Sequence, residues 1–161
     1  MWNIKRWWQS MGFGIQSPAD FSFLHDVIRE RHPYYIYEDM RRRHPDEPES
    51  DHRRGQLLFR VANNLKPSDI RLQGNPSSMM VEYLNAATKG TAPTLLYCED
   101  GVEIPHFHGY SAIILTNIGS ANAALWQRLC QSDAVTYDME DLGIAIFYKD
   151  RYPEHYRINK Q

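Results

Sequence analysis

Between Asp100 and His108 the chain gathers side chains that could bind a metal: Asp100, Glu103, His106 and His108. Two histidines at i and i+2 on an extended segment can ligate one ion, and Glu103 could add a carboxylate. Pro105 and Phe107 interleave with them, and no third strong ligand set has a recognisable spacing. A packed loop is the simpler reading, and no metal is expected. Ser77 and Ser78 follow Pro76 at a helix start. Hydroxyl and amide groups there form a generic anion site, although capping is the simpler role. Cys98-Glu99-Asp100-Gly101 closes an apolar run, which puts two acids at a strand's carboxyl end, where open α/β sheets place ligands. His25 lies near the apolar face of its helix and reads as a satisfied, partly buried histidine. Cys98 and Cys130 belong to no CxxC pair and read as small buried hydrophobes in a reducing compartment. The chain has no P-loop, HExxH, GxSxG or GxGxxG signature.

These residues need elements to hold them. Residues 1–14 carry Trp2, Trp7, Trp8 and Phe13. Trp2, Arg6 and Gln9 share a different helical face from Ile4, Trp7, Trp8 and Met11, which describes a short amphipathic helix packing its indoles on the domain. Ser17 can cap the next helix, Pro18 suits its first position, and Asp20 suits the positive end of the dipole. Phe21, Leu24, Val27 and Ile28 continue it to about Arg31, before Pro33. Tyr34, Tyr35 and Tyr37 read as an extended stretch. The mixed-charge segment 41–54, with Pro45 and Pro48, reads as a flexible, solvated loop near 41–52. Leu57, Leu58, Val61, Ala62 and Leu65 mark a helix from about Asp51. Short strands then alternate with helices: strand Ile70–Leu72, helix Pro76–Ala87, strands Thr94–Cys98 and Ala112–Leu115, and helix Ala121–Cys130. Ala134–Met139 and Gly143–Tyr148 form a closing hairpin, and Tyr156–Ile158 is a candidate last strand.

A chain of 161 residues makes one domain, with an N-terminal helical region over 1–65 and an α/β core over 66–161. At this size roughly 70% of the unfolded surface is buried, so a core forms without staples. A net charge of −2 gives no global argument for nucleic acid or an anionic membrane. No apolar run approaches the roughly 20 residues of a membrane span, and no apolar region follows Lys5 and Arg6 as a secretory signal requires. Cytoplasm is the expected compartment. The aromatic segments 1–14 and 34–37 offer surface for a homodimer.

The chain also resembles a bacterial family of class I SAM-dependent methyltransferases. GFGIQSPADFSFLHDVI is similar to that family's Gly-Ile-His-Ser-Pro-Phe leader, with Gln16 at the usual His and Ala19-Asp20 inserted before Phe21. GQLLFRVANNLKPSDIRLQG resembles the helix that leads into its first strand. ALWQRLCQSDAVTYDMEDLGIAIFYKD resembles its last helix and closing hairpin. The resemblance implies a reduced Rossmann-like mixed sheet of about five strands, with helices on both faces and an N-terminal helical extension. It also implies a site for S-adenosylmethionine (SAM). Gly74 would be the glycine of the cofactor turn, and Glu99, with Asp100 beside it, the acid that holds the ribose hydroxyls.

The departures from the family lie in the same segments. The turn reads Arg71-Leu72-Gln73-Gly74-Asn75-Pro76-Ser77-Ser78, with Leu72 at the acidic position and no second glycine. Only Gly101–Tyr110 separates the second strand from the one that resembles the family's fifth. A βα crossover needs about 10–12 residues, so the spacing shows a short connection, and the resemblance implies that the middle strands of the family's fold are missing. The resulting expectation is a methyltransferase-like protein without full catalytic machinery, a protein-interaction remnant. The alternative is an active SAM-dependent methyltransferase on a small-molecule acceptor.

Overall fold

A computed structural model describes residues 4–12 and 14–159, without the side chains of Gln9 and Ser10. Trp2, assigned above to an N-terminal helix, and Phe13 lie outside the described residues. Central strands buried on both faces build one mixed sheet of six strands among the described residues, in the order β1-β2-β3-β5-β4-β6. The strands are β1 (Ile70–Gln73), β2 (Thr94–Cys98), β3 (Tyr110–Thr116), β4 (Val135–Asp138), β5 (Leu142–Ile146) and β6 (His155–Arg157). Six replaces the expected five because β6 adds to β4 in parallel, pairing Thr136 with His155 and Tyr137 with Tyr156. β1, β2 and β3 run parallel, and β5 is antiparallel to β3 and β4. The expected closing hairpin is therefore β4–β5, with β5 inserted between β3 and β4.

Both faces of the sheet are covered. On one, Leu95, Tyr97, Ala112, Ile114 and Ile144 pack with α2 (Pro18–Phe23), α4 (Glu49–Leu65) and α5 (Ser78–Asn85). On the other, Leu96, Cys98, Ile113, Leu115 and Ala145 pack with Trp126 and Leu129 of α6 (Ala123–Cys130). Val102, Ile104 and Phe107, between β2 and β3, join this second cluster.

The connections have an uncommon geometry. β1→β2, β2→β3 and β3→β4 all carry the chain in the same direction across the sheet, between parallel strands. The first crosses over the α4–α5 face, and the other two over the α6 face. The unit β1–α5–β2 is therefore of the opposite hand to the two that follow it. Parallel crossovers are right-handed in about 98% of cases, so this opposition is rare.

Two stretches differ from the sequence expectation. Tyr34–Tyr37 is not extended: α3 spans Tyr35–Arg43 and buries Tyr37 and Met40 one turn apart. The segment near 41–52 is not a loop throughout, since α3 ends at Arg43 and α4 starts at Glu49. Ion pairs explain both. Arg42 meets Glu38 and Arg43 meets Asp39 along α3, while Arg41 reaches Glu49 and Arg43 reaches Glu82 on other helices. His52 is buried and bonds the His44 carbonyl at 3.0 Å and the Tyr83 hydroxyl at 3.1 Å.

The N-terminal helix α1 (Ile4–Ser10) is tied to the sheet by Arg6. The guanidinium donates to Asp138 Oδ1 at 3.1 Å and to the Ile158 carbonyl at 2.9 Å. Ile4, Trp7, Trp8 and Met11 keep 67%, 37%, 48% and 44% of their surface exposed. Among the described residues no helix is long and apolar enough to cross a membrane.

Candidate functional site

The turn after β1 and the end of β2 meet. Gly74 has φ +80°, a conformation that disfavours side chains. A β-carbon built on it would stand 1.6 Å from the Glu99 carbonyl oxygen. The Glu99 amide donates to the Gln73 carbonyl at 3.0 Å. The close approach that requires a glycine here is thus made to the chain's own backbone. Ser77 Oγ accepts the Met80 amide and caps α5, as the sequence predicts.

The Glu99 side chain is mostly buried and receives Arg54 Nη1 of α4 at 3.1 Å on Oε1. The Tyr97 hydroxyl and the Ser77 amide also lie beside the carboxylate and favour its charged form. Burial raises the Glu99 carboxyl above its ordinary range, and Arg54 opposes the rise. Burial also raises the Tyr97 phenol, and the neighbouring Glu99 charge adds to the effect. Asp100 is exposed and adopts φ +64°. Its amide donates to Thr116 Oγ1 at 3.1 Å, and its carbonyl accepts Asn122 Nδ2 at 2.6 Å. Buried Asn122 also bonds the Thr116 carbonyl and the Val102 amide, which pins the start of the β2–β3 connection. Gly74 and Glu99 are therefore brought together, with Asp100 adjacent but turned to the β3 side.

Next to Arg54 a cleft of about 800 Å³ opens at the carboxyl ends of the parallel strands. Ile28–Pro33 forms one wall, α4 another, and the β4–β5 turn at Met139, Asp141 and Leu142 a third. Six arginines line it: Arg29, Arg31, Arg41, Arg53, Arg54 and Arg60. Arg60 fixes the first wall by donating to the carbonyls of Val27 at 2.7 Å and Ile28 at 3.0 Å. Spacing along the chain does not assemble this group. Arg53 and Arg54 sit in the segment expected to be solvated, and the basic spacing became a pattern only once α3 and α4 were formed.

Two other clusters complete the chemistry. His106 and His108 stack with ring centroids 5.8 Å apart. No group of three or more potential metal ligands gathers among the described residues. Cys130 Sγ lies 3.4 Å from His155 Nδ1, a contact the sequence spacing hides. Burial raises the thiol and lowers the imidazole, so both are pushed toward their neutral forms, and the pair is not an activated thiolate–imidazolium. Thr136 Oγ1 takes the same ring nitrogen at 2.6 Å.

No family model, no curated protein and no solved structure matches the chain.

Proposed function

We propose that this chain is a reduced doubly wound domain on the class I methyltransferase-like plan, which has given up SAM-dependent catalysis and works by binding. The observation that carries the reading is the filled turn: Gly74 lies against the Glu99 backbone, and Arg54 occupies one oxygen of the Glu99 carboxylate. A SAM cradle needs both the glycine approach and the acid to be open to ligand.

The hand of β1–α5–β2 supports the same descent. In a doubly wound sheet the strand order reverses beside the first strand, which is why right-handed crossovers put helices on both faces. Here helices cover both faces, yet the order does not reverse, and β1 is the edge strand. Loss of the strands outside β1 leaves this pattern, and the family's ribose acid goes with its second strand, so that β2 is a later strand and Glu99 stands only near that acid's place. The helix after β1 keeps its face, and the chain must turn inward from it.

A second reading, an active methyltransferase on a small acceptor, is favoured by one observation. Glu99 stands at the carboxyl end of β2, and Arg54 holds only its Oε1, which leaves Oε2 for a ribose hydroxyl. Calorimetric titration with SAM and S-adenosylhomocysteine separates the two. The remnant reading expects no binding by the folded chain. Micromolar binding abolished by Glu99→Ala overturns it in favour of the enzyme.

The binding role includes self-association. Ile4, Trp7, Trp8 and Met11 keep a large part of their surface exposed on a helix that Arg6 ties to the sheet. Sedimentation should show a dimer, and a monomer at high concentration removes this part of the proposal.

A further inference from the structure

We infer that the arginine-lined cleft is a binding site for a small organic anion carrying two or more phosphate or carboxylate groups. The inference stands apart from the methyltransferase-like descent and needs neither Gly74 nor SAM. Its first support is charge. Six arginines line the cleft against two carboxylates, Glu30 and Asp141. Glu49 and Glu99 reach Arg41, Arg53 and Arg54 from outside the lining, and the wall still holds more guanidinium than carboxylate. The whole chain is net acidic, at −2, so the positive field is local to this place.

Chemistry is the second support. Guanidinium groups present planar donor pairs that match phosphate and carboxylate oxygens. Arg60 directs its donors to the Val27 and Ile28 carbonyls and the Tyr37 hydroxyl, so no carboxylate contact neutralises its charge. Gln56, also in the lining, adds a neutral side-chain amide to the wall. The third support is shape and place. About 800 Å³ is the size of a small-molecule pocket, and Leu57, Met139 and Leu142 give it an apolar side for a ligand body. It lies at the carboxyl edge of the parallel strands, where open α/β sheets bind ligands.

The test is calorimetric titration of the full chain at low salt with sodium pyrophosphate and, separately, with citrate. The inference expects saturable one-to-one binding of at least one of them. Tighter pyrophosphate assigns phosphate groups to the natural ligand, and tighter citrate assigns carboxylates. The exposed variants Arg31→Ala and Arg53→Ala should each weaken binding about tenfold without changing the melting temperature. Arg71→Ala, on the edge strand β1, should leave binding unchanged. Amide shifts at Arg31 and Gln56 in the unmutated chain report the same site should a variant fail to fold. No binding of either probe at millimolar concentration overturns the inference. So does binding that R31A and R53A leave intact with no shift at those amides.

Discussion

Gly74 is packed against Glu99 so closely that its missing β-carbon would stand 1.6 Å from the Glu99 carbonyl oxygen. This contact joins the turn after β1 to the end of β2. It makes the glycine a requirement of the chain's own packing, whether or not a ligand ever approaches.

Gly74→Ala should therefore be strongly destabilising. Positive φ costs about 1–2 kcal/mol for a residue with a β-carbon, and the backbone overlap adds to that. We expect a loss of at least about 2 kcal/mol in urea unfolding. A change within about 0.5 kcal/mol, the range of ordinary surface substitutions, contradicts the packing described.

The Glu99 carboxyl gives a pH dependence of definite sign. Burial raises it above its ordinary value despite Arg54. The native state then binds more protons than the unfolded chain from about pH 4.3 upward to the folded value. Stability from this group is greatest below that window and is lost as pH rises through it. Glu99→Gln stays neutral, so the stability of the variant relative to the native chain should grow as pH rises above about 4.3. A difference that is flat or shrinks with pH refutes the assignment.

His52 should matter more than its place in a charged run suggests. It is buried and holds both the His44 carbonyl and the Tyr83 hydroxyl. His52→Phe keeps the bulk and strands both partners, at a cost of about 1–3 kcal/mol. Circular dichroism should show the helices retained at a lower melting temperature. An unchanged melting temperature would mean that the pair α3–α4 is held by its surface ion pairs alone.

Asp20 ties the N-terminal region to the C-terminal strand. Its carboxylate is almost fully buried and receives Arg151 Nη1 at 2.9 Å and the Tyr156 hydroxyl at 2.8 Å. Asp20→Ala leaves a guanidinium and a phenol unmatched, and should cost about 3 kcal/mol. Adding Tyr156→Phe should then cost less than it does in the native background, which a double-mutant cycle measures. Strict additivity argues against a shared network.

The core of the fold was legible wherever local chemistry and burial agree. Ser17 accepts the Asp20 amide, Pro18 opens α2, and the buried run Thr94–Cys98 is strand β2. The segment from Tyr34 to Arg54 was misread because its helices are held by partners far along the chain, such as Tyr83 for His52 and Glu82 for Arg43. Composition alone cannot distinguish charges that pair across helices from charges that face water. The site was partly legible: Glu99 stands at the expected carboxyl end, but its neighbour Arg54 closes the charged run, where nothing local marks it as the partner of a residue 45 positions on. The reversed hand of β1–α5–β2 depends on strand order, which no local pattern encodes.

The most direct test of the closed turn follows its backbone amides during titration with S-adenosylhomocysteine. A nitrogen–proton correlation spectrum of the labelled chain resolves Gly74, Asn75, Ser77 and Glu99 individually. We predict that all of them stay in place up to millimolar ligand, because the Glu99 backbone already fills the approach to Gly74. Saturable shifts at these amides with micromolar affinity would contradict the account and return the turn to cofactor binding.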